Sequence, residues 1–281
     1  MDLCLSCKGC KSECPSNVDV AKLKAEFMQH YYDANGVPFR SKLIANFTSS
    51  AKLGALVPGL YNFMMTSKPV SRLIKKLSGF AADRSMPTMY KTTLKSWYKK
   101  RKRKIEDGSR GEKSLGRRVY LFCDEFTNYN DTAIGIKAIL LLEKLGYEVV
   151  IPEHIESGRA WLSKGLIRKA KTIANKNISL LSQLITADTP LIGIEPSAIL
   201  TFRDEYIDLA DDEHLTASRT LSNNVLLIDE FIAREIEKGN ISPAQFTKEE
   251  KKIKLHGHCQ QKALSSVAPS VKLLSLPENY S

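Results

Sequence analysis

Four cysteines lie within eleven residues near the start of the chain, in the order Cys4-x-x-Cys7-x-x-Cys10-x-x-x-Cys14-Pro15. Thiolates at every third residue can surround one [4Fe–4S] cluster, and this spacing is typical of such sites. We therefore predict that the cluster ligands are Cys4, Cys7, Cys10 and Cys14. Three other uses stay open: a zinc site, whose thiolates usually form two separated pairs, disulfides, which need an oxidising compartment, and free thiols.

The fourth cysteine of the run raises a separate question. In proteins with two clusters such runs come in pairs, and the fourth cysteine of each run ligates the cluster of the other. The 281 residues contain one run, and the two remaining cysteines, Cys123 and Cys259, lie far from it. The sequence leaves open whether Cys14 closes this cluster or a second one.

The cysteine run is followed by an amphipathic helix. Asp19 is a good N-cap, and apolar side chains recur at spacings of three and four from Val20 to Tyr31 before Gly36 ends the pattern. We assign residues 1–36 to a cluster-binding segment. Residues 37–94, which four prolines interrupt, are predicted to be a helical connector.

The positive charge of the chain is concentrated in one strip. Residues 95–118 carry a net charge of +8, out of +11 for the whole chain. The run Lys99 to Lys104, followed by polar and glycine-containing sequence, predicts a solvated basic linker over residues 95–117. Attraction to an acidic partner or to lipid head groups stays open. Nucleic acid is a weaker alternative, because Trp97 and Tyr98 are the only aromatic residues interleaved in the strip.

Residues 118–281 alternate short apolar runs with helical periodicity. Strands are predicted at residues 119–123, 148–151, 191–194, 253–255 and 271–276. Helices are predicted at residues 133–145, 159–184 and 221–238. Strands that alternate with helices indicate a parallel, doubly wound sheet. The fold class is therefore α/β, with a small helical segment ahead of the sheet.

Polar side chains follow the predicted strands, and ligands of parallel sheets collect at those carboxyl ends. The residues there include Cys123-Asp124-Glu125, Glu153-His154-Ile155-Glu156 and His256-Gly257-His258-Cys259. Imidazole, thiolate and carboxylate together could bind one transition metal. We predict a second metal site on this rim, formed by His154, Glu156, His256, His258 and Cys259. A solvated rim without a ligand and a protein-docking face are the alternatives.

At this point the chain resembles a known family. The run Cys4 to Asp19 is similar to the ferredoxin segment of Fe–S oxidoreductases, the iron–sulfur halves of FAD-linked 2-hydroxyacid dehydrogenases of the D-lactate and glycolate type. It is also similar to the iron–sulfur subunit of anaerobic glycerol-3-phosphate dehydrogenase and to heterodisulfide reductase. The second half resembles the cysteine-rich domain of these enzymes, most specifically at Arg203-Asp204-Glu205-Tyr206. That domain is assigned to residues 118–281.

The chain departs from the family pattern at several cysteines. Four cysteine positions of the cysteine-rich domain carry other residues here: Glu125, Glu156-Ser157 in place of a Cys-Cys pair, and Ala198. Cys259 alone stands where the family keeps a cysteine. A Cys-Cys-Gly would be expected beyond Ser281, and a flavin domain with a further cysteine run before Met1. The resemblance therefore implies a piece of a larger enzyme, truncated within its last domain.

The resemblance implies an oxidoreductase, namely the iron–sulfur electron-transfer portion of a flavin-linked enzyme that acts on a 2-hydroxyacid such as D-lactate or glycolate. The flavin is expected in a partner domain or subunit, because this chain has no dinucleotide-binding glycine fingerprint. A quinone or a redox protein would accept the electrons. The expected location is the cytoplasm, with peripheral contact to the inner face of the membrane. The alternative function is a non-catalytic docking module whose basic strip binds an acidic partner.

Overall fold

The computed structural model describes residues 4–106 and 116–281, and the described part up to residue 106 is helical. The helices are Gly9–Glu13 (α1), Val20–Asn35 (α2), Phe39–Ala45 (α3), Phe47–Gly54 (α4), Pro58–Thr66 (α5), Lys68–Ser78 (α6) and Leu94–Glu106 (α7). The predicted start of α2 is confirmed, because the Asp19 carboxylate accepts the amide protons of Ala21 and Lys22. The helix ends at Gly36, whose φ of 78° suits glycine.

A four-stranded parallel sheet forms the centre of the second half. Its strands are Arg117–Phe122 (β1), Tyr147–Val150 (β2), Leu191–Gly193 (β3) and Val225–Leu227 (β4). Their spatial order is β2-β1-β3-β4, and every neighbouring pair is parallel. From β1 the chain adds β2 on one side of the sheet and then β3 and β4 on the other, so the connections change side between β1 and β3. Doubly wound sheets bind ligands at this point. The predicted α/β class and parallel sheet are confirmed.

Helices cover both faces of the sheet. They are Glu125–Tyr129 (α8), Thr132–Lys144 (α9), Arg159–Ser163 (α10), Ile167–Leu181 (α11), Pro196–Ile199 (α12), Glu205–Leu209 (α13), Asp212–Asn223 (α14), Ile228–Glu237 (α15), Cys259–Leu264 (α16) and Ala268–Leu274 (α17). Alternate residues of β1 enter opposite cores: Phe122 packs with Ile178 of α11, and Leu121 packs with Ile139 of α9. This alternation is the reason that β1 is apolar on both faces.

The structure differs from the predicted elements at four places. The helix predicted over residues 159–184 is two helices, α10 and α11, separated by a turn in which Gly165 has a φ of 71°. The helix predicted over residues 221–238 is interrupted, because Val225–Leu227 leaves it and pairs with β3 as an edge strand. No strand forms at residues 253–255, and the strand predicted at residues 271–276 is mostly helical, within α17. Leu273 and Leu276 pack against the core on the α9 face, which explains their apolar character without a strand.

The basic strip begins as a helix rather than as a linker. Residues 95–106 belong to α7, and residues 107–115 lie outside the described part of the chain. Trp97 and Tyr98 pack on the core, and the Tyr98 hydroxyl donates to the Val149 carbonyl at 3.0 Å. Arg101 pairs with Glu143 of α9. The start of the strip is thus attached to the α/β domain. Across the described residues, no helix combines the length and apolar character needed to cross a membrane.

The close approach of β3 to α12 generates a prediction. A Cβ added at Gly193 would lie 2.3 Å from the Cβ of buried Ile199. We expect Gly193→Ala to lower the free energy of unfolding by about 1–3 kcal/mol, because the backbone must shift to relieve the overlap. Gly59→Ala is the control, since a Cβ there meets no atom within 4 Å. Urea denaturation checks both, and equal stability of the two variants would contradict the packing.

Candidate functional site

The cysteine run forms a tightly bent loop that leads into α1. Ser6, Lys8 and Asn17 have positive φ values of 54°, 61° and 53°, so the chain turns sharply before and after α1. Cys7 and Cys10 are exposed, whereas Cys4 and Cys14 are half-buried. The loop therefore keeps two thiols at the surface and two against the protein.

The half-buried thiols of the run accept backbone hydrogen bonds. The Ser6 amide donates to the Cys4 sulfur at 3.4 Å. Hydrogen bonds from the amides of Val18, Ser16 and Asn17 lower the pKa of the Cys14 thiol. Amide hydrogen bonds of this kind favour the thiolate, the form that binds metal. By donor type the four cysteines fit an iron–sulfur cluster. In the described residues, however, no three His, Cys, Asp or Glu side chains are gathered in a metal-binding arrangement.

A buried lysine anchors the loop to the α/β domain. The Lys8 ammonium is fully buried and lies 2.7 Å from Asp19, 2.5 Å from Asp204 and 3.1 Å from Glu205. Burial alone would lower the pKa of Lys8, but the charge of Glu205 and the hydrogen bonds that Lys8 donates to Asp19 and Asp204 raise it. Lys8 is therefore a permanent cation, and its carboxylate partners come from both halves of the chain.

Main-chain groups of the loop are held as well. The Ser6 carbonyl accepts hydrogen bonds from Arg159 at 2.8 Å and from Gln260 at 3.2 Å. The Cys4 carbonyl accepts one from Lys24 at 2.6 Å. Arg159 also pairs with Glu205 at 2.6 Å. Because these donors lie on α10, α16 and α2, the loop is held from three directions.

Two buried carboxyl groups follow β1 at the carboxyl edge of the sheet. Asp124 caps α8 by accepting from the Phe126 and Thr127 amides, and burial together with neighbouring Glu125 raises its pKa to about 7. Both oxygens of Glu125 accept hydrogen bonds from Ser157, one from its amide and one from its hydroxyl. Burial raises the pKa of Glu125 too. Asp124 thus stabilises the start of its own helix, and Glu125 joins that helix to the loop after β2 through Ser157.

The predicted rim histidines lie in different surroundings. His154 is buried, its Nε2 accepts the Cys123 amide proton at 3.2 Å, and its Nδ1 lies 2.7 Å from the Ile155 carbonyl. Burial, with Lys95 nearby, lowers the pKa of His154 to about 3. Since Nε2 accepts, Nδ1 carries the proton, and both ring nitrogens are engaged.

The remaining residues of the predicted second metal site do not join His154. Glu156 accepts the Thr48 hydroxyl at 2.6 Å. His258 caps α16 and lies 3.7 Å from Glu195, while His256 and Cys259 are exposed. The described part of the chain thus does not assemble the predicted site. Polar residues do follow the strands, but the imidazoles of His154 and His258 accept hydrogen bonds from nearby backbone amides.

Residues that hold the cysteine loop were not predicted as site residues. They are Lys8, Lys24, Arg159, Asp204, Glu205 and Gln260. One available signal was the run Arg203-Asp204-Glu205-Tyr206, which was the most specific match in the second half. A lysine inside a cysteine run gives no periodic signal, so its burial could not be predicted.

Comparison with known proteins gives relatives that share one name. The chain is 27% identical over 274 residues to D-2-hydroxyglutarate dehydrogenase of Escherichia coli. The aligned region covers 96% of this chain and 26% of that protein. The dehydrogenases of the same name from Pantoea ananatis and Haemophilus influenzae are each 27% identical, over 86% and 73% of this chain and 23% and 20% of theirs.

The chain is similar to part of these dehydrogenases. It spans about a quarter of the length of the curated relatives that it matches. No protein-family model matches the chain, and no solved structure matches it. The similarity to the Escherichia coli protein covers 96% of this chain and therefore extends across both halves.

The buried Lys8 generates a stability prediction. Lys8→Met would remove the buried cation that the three carboxylates share and leave only cations at their edges, namely Lys11, Lys22 and Arg159. We expect the free energy of unfolding to fall by about 3–5 kcal/mol, as for other broken buried ion pairs. The measurement is urea denaturation at neutral pH. Lys254→Met, at an exposed residue, should change stability by less than about 0.5 kcal/mol.

A compensating variant tests whether charge is the cause. Adding Asp204→Asn to Lys8→Met removes one of the facing charges, and we expect partial recovery of stability. If Asp204→Asn lowered the stability of Lys8→Met as much as it lowers the stability of the wild type, repulsion between carboxylates would not be the reason.

The buried His154 generates a pH prediction. Its pKa of about 3 in the folded state lies below the ordinary value of 6.5, so below pH 6.5 the unfolded state takes up a proton that the folded state does not. Its contribution to stability therefore falls as pH falls, by up to about 1.4 kcal/mol per unit. We expect the stability advantage of the wild type over His154→Gln to shrink from pH 7 to pH 4.5. Parallel pH profiles of the two proteins would refute a buried, neutral His154.

Proposed function

We propose that this chain is the iron–sulfur electron-transfer part of a flavin-linked dehydrogenase that oxidises a 2-hydroxyacid. The observation that carries the proposal is the anchored cysteine loop. Four cysteines with cluster spacing are held on an α/β domain by buried Lys8 and by two donors to the Ser6 carbonyl. The similarity to dehydrogenases that act on D-2-hydroxyglutarate supports the reaction class.

In this proposal Cys4, Cys7 and Cys10 hold the cluster, and Cys14 ligates it or a second one. When bound, a [4Fe–4S] cluster takes up and passes on single electrons. The amides that donate to the Cys4 and Cys14 sulfurs favour the thiolate forms. Hydrogen bonds to sulfur and solvent exposure are the two means by which this protein would tune the potential. Exposed Cys7 and Cys10 would face the electron donor or acceptor.

The remaining components of the reaction are assigned to partners. FAD would belong to a domain or subunit that receives the electron pair from the hydroxyacid, and this chain would pass electrons one at a time to a quinone or redox protein. D-2-hydroxyglutarate is the substrate class that the names of the relatives favour over D-lactate or glycolate. Such a complex would operate in the cytoplasm, with peripheral contact at the inner face of the membrane.

Iron content tests the proposal. We expect anaerobically purified protein to contain about four iron and four sulfide per chain and to give an EPR signal on reduction. Cys7→Ser should lose most of the iron, whereas Cys259→Ser, which removes an exposed cysteine outside the run, should keep it. Equal iron in both variants, or zinc in place of iron, would refute the assignment.

The role of Cys14 is decided by the same measurement. If Cys14 closes this cluster, we expect Cys14→Ser to lose iron and the EPR signal as Cys7→Ser does. If it ligates a second cluster, Cys14→Ser should keep both.

A docking role is the second candidate. Helix α7 packs through Trp97 and Tyr98, while Lys99, Lys100, Arg103 and Lys104 are exposed. These cations could bind an acidic subunit. Binding of that kind would weaken with added salt and would be unchanged by Cys7→Ser, whereas electron transfer would be lost.

A further inference from the structure

A cavity of about 450 Å³ lies beside the carboxyl ends of β1 and β2, apart from the cysteine loop. Four lysines line it, namely Lys52, Lys95, Lys169 and Lys176. They come from α4, α7 and α11, so three separate helices direct cations to one space. Its volume is within the range of sites for small molecules.

Lys95 is the lysine of this cavity whose burial most favours a bound anion. Its Nζ atom makes one long hydrogen bond, 3.4 Å from the His154 carbonyl. In the part of the chain that the structure describes, Lys95 forms no ion pair, although the charge of Glu125 acts on it at longer range. Burial lowers the pKa of Lys95, and Lys52 contributes to the decrease. A desolvated ammonium without a counter-ion is costly, and a bound anion would remove that cost.

The Lys95 backbone is fixed where it enters the cavity. Its amide donates to the Asn128 side-chain oxygen at 3.0 Å, and preceding Leu94 is completely buried. Because the main chain is held on both sides, Lys95 is positioned at the cavity wall by the fold. It does not depend on a salt bridge for its position.

The carboxylates of the cavity are already engaged. Both oxygens of Glu125 accept from Ser157, and Glu156 accepts from Thr48. His154 contributes no charge near neutral pH, because its pKa is about 3. Four cations against two hydrogen-bonded carboxylates leave the cavity positive. Such a space repels a metal ion and attracts an oxyanion.

We propose that this cavity binds a small oxyanion, the carboxylate or phosphate group of a small organic acid, with Lys95 as the central cation. The ammonium groups of Lys52, Lys169 and Lys176 would bind the outer oxygens. The site goes beyond electron transfer and does not depend on the cluster. An anion there would link α4, α7 and α11, and its binding would therefore stabilise the folded chain.

Isothermal titration of the whole chain with sodium phosphate and, separately, with disodium glutarate tests the proposal. Sodium chloride at the same ionic strength is the reference, because the screening of surface charges by salt is then equal in the phosphate, glutarate and chloride solutions. Saturable binding of either anion supports the site, and the anion that binds identifies phosphate or carboxylate as the preferred group. If neither binds more than chloride does, the proposal fails.

Variants locate the binding. Lys95→Met should weaken binding about tenfold, the effect of one lost charged hydrogen bond. Lys100→Met, an exposed residue of the same helix outside the cavity, should bind as the wild type does. If Lys95→Met fails to fold, the pair Lys52→Ala and Lys176→Ala, at exposed residues, replaces it. Unchanged affinity in a folded variant of the cavity would overturn the assignment.

Discussion

The buried ammonium of Lys8 is the interaction on which the arrangement of the two halves depends. It joins Asp19 at the start of α2 to Asp204 and Glu205 at the start of α13. A charge removed from water must have its full set of partners, so both halves have to be in place at once. Lys22 adds a second cation to Asp204, at 2.7 Å. The carboxylates are thereby neutralised by side chains of the cysteine segment itself.

This ion cluster places the cysteine loop at the carboxyl edge of the parallel sheet. The Ser6 carbonyl is held by Arg159 and by Gln260, which lie in loops and helices that follow β2 and β4 in the chain. Doubly wound sheets commonly present ligands at that edge. Here the edge also carries the buried carboxyl groups of Asp124 and Glu125, which accept hydrogen bonds from the Thr127 and Ser157 amides. The edge thus supports the cysteine loop, and among the described residues it gathers no metal-binding group of side chains.

Much of the fold could be predicted because its signals are local. The strands at β1, β2 and β3 are apolar runs ended by polar residues, and Asp19 caps α2 as its type indicates. β4 was missed because a three-residue strand between two helices continues their apolar spacing. α17 was mistaken for a strand because its apolar residues also suit a helix packed on α15. These two errors share a cause: short segments take their conformation from tertiary contacts.

The sequence allows a prediction of the cluster ligands, but it does not allow a prediction of how the cysteine loop is anchored. Cysteine spacing indicates a cluster directly, whereas the burial of Lys8 depends on a carboxylate pair nearly two hundred residues away, at Asp204 and Glu205. The second metal site was inferred from residue types at strand ends. Its predicted residues do not come together, because the His154 side chain turns inward to accept the Cys123 amide proton. Burial keeps that imidazole neutral. Residue type indicates which side chains could bind a metal, and packing decides which are free to do so.

Hydrogen exchange of the cysteine segment, followed by mass spectrometry in wild type and Lys8→Met, tests the central claim most directly. It reports local opening, which global unfolding does not resolve. If the Lys8 cluster docks the loop, peptides from residues 4–18 should exchange at least about tenfold faster in the variant. Peptides from β1 should keep their protection under conditions where the domain stays folded. Unchanged exchange in residues 4–18 would contradict the claim, because the loop would then be held by other contacts.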